Sequence, residues 1–175
     1  MKELFLGCKS LISLPDISKC NTNKVINLSN LFSKCLLLKN IPDISQWDIS
    51  NTIDISGMFS NCESIISLPD ISKWNITNII DLSHLFEYCS SLLQLPEISK
   101  WDVSKVKNMS CMFTGCSSLK TLPDLSLWKA LNITNVSWMF KNCNSLLYIL
   151  DISNWTTIHV THMNSLFYNC CSLIT

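Results

Sequence analysis

Three glycines in 175 residues leave little room for a flexible linker or for a glycine-rich loop that cradles phosphate. Charge is equally thin. Only 15% of the chain is charged against 47% hydrophobic, and thirteen basic residues balance thirteen acidic ones. No basic field is available to draw in nucleic acid or anionic lipid, so neither is expected as a partner. No apolar run comes near the roughly 20 residues that cross a bilayer as a helix. The sequence holds no nucleophile elbow, phosphate loop, dinucleotide fingerprint or HExxH helix, and no two cysteines have C-x-x-C spacing. An enzyme has nothing to work with here, and no catalytic residue, cofactor or metal is expected.

Phenylalanine is missing everywhere except in one series. Phe5, Phe32, Phe59, Phe86, Phe113, Phe140 and Phe167 follow one another at intervals of 27 residues. Self-similarity at a fixed period in this range marks a stacked repeat architecture and takes precedence over local secondary-structure cues. With each Phe set to position zero, the other columns fall into line. Plus three is cysteine in all seven copies, from Cys8 and Cys35 to Cys143 and Cys170. Plus six is Leu or Ile, as is plus nine. Plus ten is Pro15, Pro42, Pro69, Pro96 and Pro123, a series that Leu150 breaks. Plus eleven is an acid (Asp16, Asp43, Asp70, Glu97, Asp124, Asp151), and plus fifteen is Cys20 and then Trp47, Trp74, Trp101, Trp128 and Trp155. Aliphatic residues or Met recur at minus four and minus one.

These columns predict a repeat solenoid of the α/β type, with short parallel strands on one face and short helical turns on the other. Val106, Met109, Met112/Phe113 and Cys116 are three or four apart, which places them on one face of a helical turn. Ser104 or Ser110 is available to cap its start. The segment from plus six to plus nine, Leu119 to Leu122 in one copy, predicts a strand of three to five residues that the following proline ends. Stacked in register at about 4.8 Å per unit, the strands form a parallel sheet along a rod roughly 30 Å long. A right-handed coil is expected, with Phe, Leu, Trp and Cys each meeting their own kind in the next unit. Residues 1–175 then form a single array of six full 27-residue repeats plus partial units at the ends.

The run Phe113-Thr114-Gly115-Cys116-Ser117-Ser118-Leu119-Lys120-Thr121-Leu122 resembles the leucine-rich repeats of BspA-like surface proteins. The longer pattern L-x-x-L-P-D-I-S-K-W-x-x-S/T-x-V-x-x-M-S-x-M-F-x-x-C-S-S-L is similar to the tandem repeat of the Mycoplasma-type surface lipoproteins grouped with them. The resemblance covers essentially the whole chain. It implies a cell-surface or secreted location, a role in adhesion or protein binding, and no catalytic residues.

Each candidate for chemistry has a plainer structural reading. The seven column cysteines are expected to be buried, reduced core thiols. If they sit on a helical side spaced at about 8 to 10 Å, they also lie beyond the roughly 7 Å Cα limit for a disulfide. Cys20, Cys111 and Cys171 fall off the column. Leu4-Phe5-Leu6-Gly7-Cys8 is similar to a lipoprotein cleavage box, but only three apolar residues precede Gly7, and Cys8 fits the repeat register. His159 and His162 have i, i+3 spacing near Cys170 and Cys171. His162, however, occupies a polar column (Asn27, Asp54, Asp81, Asn108, Asn135) whose expected role is to hydrogen-bond turn backbone. The plus-eleven acids lack the tight loop that calcium needs, and Lys19, Lys73 and Lys100 three residues on suggest exposed ion pairs. Six N-x-S/T sequons, at Asn27, Asn75, Asn108, Asn132, Asn135 and Asn154, follow from composition alone.

Between the constant anchors at plus six and plus nine, variation concentrates at plus seven and plus eight. Lys39 and Asn40, Ile66 and Ser67, Leu93 and Gln94, Lys120 and Thr121, and Leu147 and Tyr148 form the candidate interaction face, facing a protein or glycan partner. The alternative is a structural spacer, or a fragment of a longer repeat protein, with no ligand of its own. Met1 falls in the minus-four column and Thr175 in the plus-eight column, so the chain reads as a piece of a longer array, for which end-to-end self-association is expected.

Overall fold

The computed structural model describes residues 1–149 and 152–174. Leu150, Asp151 and Thr175, and with them the break in the proline series and one member of the acid column, lie outside the described residues. The chain winds as a stack of coils in which every residue lies beside its counterpart 27 positions away. Parallel bridges join Asn27 to Asp54, Asp54 to Asp81, Asp81 to Asn108, Asn108 to Asn135 and Asn135 to His162, one bridge per coil in the minus-five column.

From minus four to plus three the backbone divides its amides between two tasks. Alternate amides reach the neighbouring coil: Leu82 to Asn108, His84 to Ser110, Phe86 to Met112 and Tyr88 to Thr114, with N···O distances of 2.9, 3.0, 2.9 and 2.6 Å. The amides between them close tight turns inside the coil, from Leu85 to Leu82, Glu87 to His84 and Cys89 to Phe86, at 3.4, 3.1 and 3.1 Å. A helix would commit every amide to a carbonyl four residues back in its own coil. Here half of them bind the next coil instead, and the expected helical turns are replaced by consecutive β-turns. Among the described residues the one helical element is a 3-10 turn at Leu125–Leu127, capped by Asp124.

Two residues in each coil adopt left-handed backbone. They stand at minus two (Glu3, Asn30, Gly57, His84, Cys111, Trp138, Ser165) and at plus two (Gly7, Lys34, Asn61, Tyr88, Gly115, Asn142, Asn169), with φ between 53° and 75°. This is the third position of a type II turn, which calls for positive φ and favours glycine or asparagine. With three glycines for fourteen such positions, eleven side chains sit where a Cβ is disfavoured.

The expected strand from plus six to plus nine is also reduced. Its ladder bonds fall at plus seven, as in Leu93 to Ile66 at 3.1 Å, Leu147 to Lys120 at 3.1 Å and Ile174 to Leu147 at 2.9 Å. At most one such bond per coil does not make a regular strand, and the prolines at plus ten supply no donor that would extend it.

The interior is a set of ladders. Phe rings stack along the whole series, with centroids 5.5 to 5.8 Å apart and planes within 14°. Phe32, Phe59, Phe86, Phe113 and Phe140 are fully buried. Each coil is also tied to its predecessor by two side chains that reach backbone carbonyls. Trp47, Trp74, Trp101, Trp128 and Trp155 donate Nε1–H to Ile17, Ile44, Ile71, Ile98 and Leu125 at 2.9 to 3.2 Å. From Cys35 to Cys170 each column thiol points at the carbonyl of the preceding Phe, at 3.0 to 3.2 Å. The turn side is therefore spaced as closely as the ladder side. Without helices there is no 8 to 10 Å separation, so distance is not what keeps these cysteines unpaired.

Candidate functional site

At plus seven and plus eight the backbone turns its side chains outward between two inward anchors. Leu38, Ile65, Leu92, Leu119 and Leu146 at plus six are fully buried, while Ile41 and Leu122 at plus nine are buried and Leu68, Leu95 and Ile149 half-buried. Between them Lys39, Asn40, Ile66, Ser67, Leu93, Gln94, Lys120, Thr121 and Tyr148 are exposed, and Leu147 is half-buried. Ile66 and Leu93 expose 50% and 52% of their surface. None of these ten residues is an acid or a histidine. The strip offers two ammonium groups, two amides, hydroxyls and aliphatic surface.

A second stripe was not picked out by the sequence reasoning. Ile26, Ile53 and Ile80 at minus six are 62%, 45% and 44% exposed. Their backbone carries the ladder Ile53 to Ile26 at 3.0 Å and Ile80 to Ile53 at 3.1 Å. The signal was present as three isoleucines in one column. A shallow groove of about 470 Å³ lies elsewhere, lined by Ser99, Lys100, Trp101, Asp102, Ser104, Leu127 and Lys129. Its tryptophan is buried, so the groove lacks an aromatic platform.

All ten cysteines are free, and the five column thiols from Cys35 to Cys143 are buried. Burial pushes Cys35 up to about 11 and Cys143 to about 12, and raises Cys62 and Cys116 as well. These thiols are packing groups. Cys8, Cys20 and Cys171 are exposed.

The plus-eleven acids act within the chain, although not as the expected ion pairs. Asp16, Asp43, Asp70 and Asp124 accept the amide of the serine two residues on at 2.8 to 3.0 Å, and Glu97 does the same for Ser99 at 3.0 Å. Hydrogen bonds from the hydroxyl and amide of Ser18 hold Asp16 below its ordinary value, and those of Ser72 do so for Asp70. Such a turn spans only two residues, so the carboxylate meets the serine before a lysine three residues on. Ion pairs among the described residues are Lys2–Glu3 and His84–Glu87. The polar minus-five column behaves as expected, with Asn27, Asp54, Asp81, Asn108 and Asn135 each accepting the amide of the serine two residues on.

His159 and His162 are exposed, and His162 Nδ1 lies 2.9 Å from the Thr161 hydroxyl. Among the described residues, potential metal ligands converge instead at His84, Glu87 and Cys111, whose donor atoms all lie within 4.8 Å of one another. Hydrogen bonding to Cys111 and then to Glu87 raises His84 to about 10.

Closed coils with ladders of buried Leu, Ile and Phe define a leucine-rich-repeat-like scaffold, and a solved structure agrees. A leucine-rich repeat protein from Eubacterium ventriosum superposes with a TM-score of 0.54 at 18% identity, over 90% of this chain and 42% of that one. The leucine-rich repeat protein of T. pallidum gives 0.49 at 18% identity, over 98% of this chain and 69% of that one. The chain thus spans less than half of the first of these proteins. Comparison with curated proteins finds no match. The family model described as "Mycoplasma protein of unknown function, DUF285" matches residues 1–68 and 64–174. The chain belongs to that family. No helix among the described residues is long and apolar enough to cross a membrane.

Proposed function

We propose that this repeat scaffold is a non-enzymatic binding module that presents its plus-seven and plus-eight face to a protein or glycan at a cell surface. One observation carries the reading. Residues that differ from coil to coil are exposed in two adjacent columns, while the anchors on either side are buried and nearly constant. A rigid ladder with variable outward positions lets one backbone carry many specificities, because changing a side chain there does not disturb the fold. The Mycoplasma family and the leucine-rich repeat neighbours support the scaffold, and the surface location and the adhesive role rest on the resemblance of the repeat.

The competing reading is a spacer without a ligand. A glycan array and capture from cell-surface extract, run with the parent chain and with an Ile66→Glu/Leu93→Glu variant, separates the two. Binding by the parent that weakens at least about tenfold in the folded variant supports the module, in line with buried apolar anchors dominating interface energy. Absence of binding by the parent leaves the spacer, and binding that is unchanged in the folded variant removes the plus-seven and plus-eight face.

A further inference from the structure

His84 and Cys111 occupy the same minus-two column in adjacent coils, and both hold left-handed backbone at φ 57°. Side chains in this column lean onto the next coil: a Cβ placed on Gly57 would come within 2.3 Å of Asn30 Oδ1. The same lean carries the His84 ring toward Cys111. Glu87 closes the group from His84's own coil, with Oε2 3.0 Å from His84 Nδ1. Ser60, in the coil before, donates its hydroxyl to that same carboxylate oxygen at 3.2 Å.

We propose that His84, Glu87 and Cys111 form a binding site for a zinc-type divalent cation bridging two coils. The donors are an imidazole nitrogen, a carboxylate oxygen and a thiolate sulfur, the three ligand types that zinc accepts, whereas calcium and magnesium call for oxygen throughout. Their donor atoms already lie within 4.8 Å of one another, and tetrahedral coordination asks for only a modest contraction of that cluster. Both coils are fixed by their own ladders, so bringing the ligands together costs little ordering entropy. The Ser60 hydrogen bond orients the carboxylate, as outer-sphere partners of metal ligands commonly do. On binding, the cation replaces the hydrogen bond between His84 and Glu87. The Cys111 thiol proton passes to solvent, together with the shared imidazole proton when it is present. Three protein donors leave a fourth position for water on the exposed side, where 45% of the His84 side chain is accessible.

The test uses the full chain with the three exposed thiols removed (Cys8→Ser, Cys20→Ser, Cys171→Ser), kept reduced and stripped of metal. Titration with cobalt(II), followed by displacement with zinc(II), reports thiolate coordination through the near-ultraviolet charge-transfer band. The expected result is saturation at one equivalent, with zinc bleaching the band. His84→Ala, Glu87→Gln and Cys111→Ser should each weaken cobalt binding about tenfold or more. His84→Asn, which suits left-handed backbone, replaces His84→Ala if the latter fails to fold. Absence of a thiolate band in the triple-serine chain, or a band undiminished in the folded His84 variant, overturns the proposal.

Discussion

The same substitution at two exposed lysines should change stability in opposite directions. Lys34 stands at plus two with φ 61°, and Lys39 stands at plus seven in extended ladder backbone. Both side chains are exposed, and both amides bind another coil, Lys34 to Ser60 at 2.8 Å and Lys39 to Ile12 at 3.3 Å. Glycine keeps those amides, so side-chain packing and hydrogen bonding drop out of the comparison. What remains is backbone. A Cβ in the left-handed region costs about 1 to 2 kcal/mol, and glycine loses about 0.5 to 1 kcal/mol more than other residues on ordering. Lys34→Gly should therefore stabilise by about 0.5 to 1 kcal/mol, and Lys39→Gly should destabilise by a similar amount. In a chain of this length that separates the two thermal midpoints by roughly 2 to 8 °C. Urea denaturation followed by tryptophan fluorescence reads the same difference independently. If both variants lose stability equally, the left-handed turn at plus two is wrong, and the consecutive-turn description falls with it.

Gly115→Ala places a Cβ 2.3 Å from Tyr88 Cδ1 on a backbone at φ 73°, and should cost about 1 to 3 kcal/mol by chemical denaturation. Adding Tyr88→Ala should recover part of that loss, since only the steric share depends on the ring. Thr22 buries its hydroxyl without a hydrogen-bond partner in a column whose other buried members are Ile49, Ile76, Val103 and Ala130, so Thr22→Val should raise stability by about 1 to 2 kcal/mol. Phe113→Ala, in a fully buried ring stacked on both sides, should lower it by at least about 3 to 5 kcal/mol. In native alkylation followed by mass spectrometry, Cys8, Cys20 and Cys171 should react, and Cys62, Cys89 and Cys116 should not. Burial raises Cys35 and Cys143 from 9.0 to about 11 and 12, so the native state holds these protons longer than the unfolded chain does. Their contribution to stability is complete below pH 9 and is lost as pH rises toward 11 to 12, which a denaturation series across that range would record.

The ladders were legible because plus zero is always Phe, plus three always Cys, plus six always Leu or Ile, and plus fifteen Trp in every copy but the first, and a column of one residue type stacks on its own copies. The turns were not. Spacing of three and four, as in Val106, Met109, Phe113 and Cys116, is the helical signature, yet consecutive β-turns closing over three residues put the same side chains inward. The discriminating signal lay at plus two, where Gly7, Asn61, Gly115, Asn142 and Asn169 supply five of the seven residues, all of a type that tolerates positive φ. At minus two that signal is hidden by His84, Cys111 and Trp138, which ladder contacts hold in an unfavourable conformation. The same column hid the metal-ligand cluster. His84 and Cys111 are 27 residues apart, so no local motif joins them, and only the stacking register brings them together. The plus-seven and plus-eight positions were legible as variable between constant anchors, but the exposed isoleucines at minus six were not singled out, because their column passes to Lys107 and Thr134.

The central claim is that alternate amides on the turn side bind the next coil and not their own. Scalar coupling across hydrogen bonds in the isotope-labelled chain measures this at a single amide. The Phe86 amide should couple to the Met112 carbonyl, 2.9 Å away in the neighbouring coil. Coupling to the Leu82 carbonyl, four residues back as in an α-helix, would contradict the account.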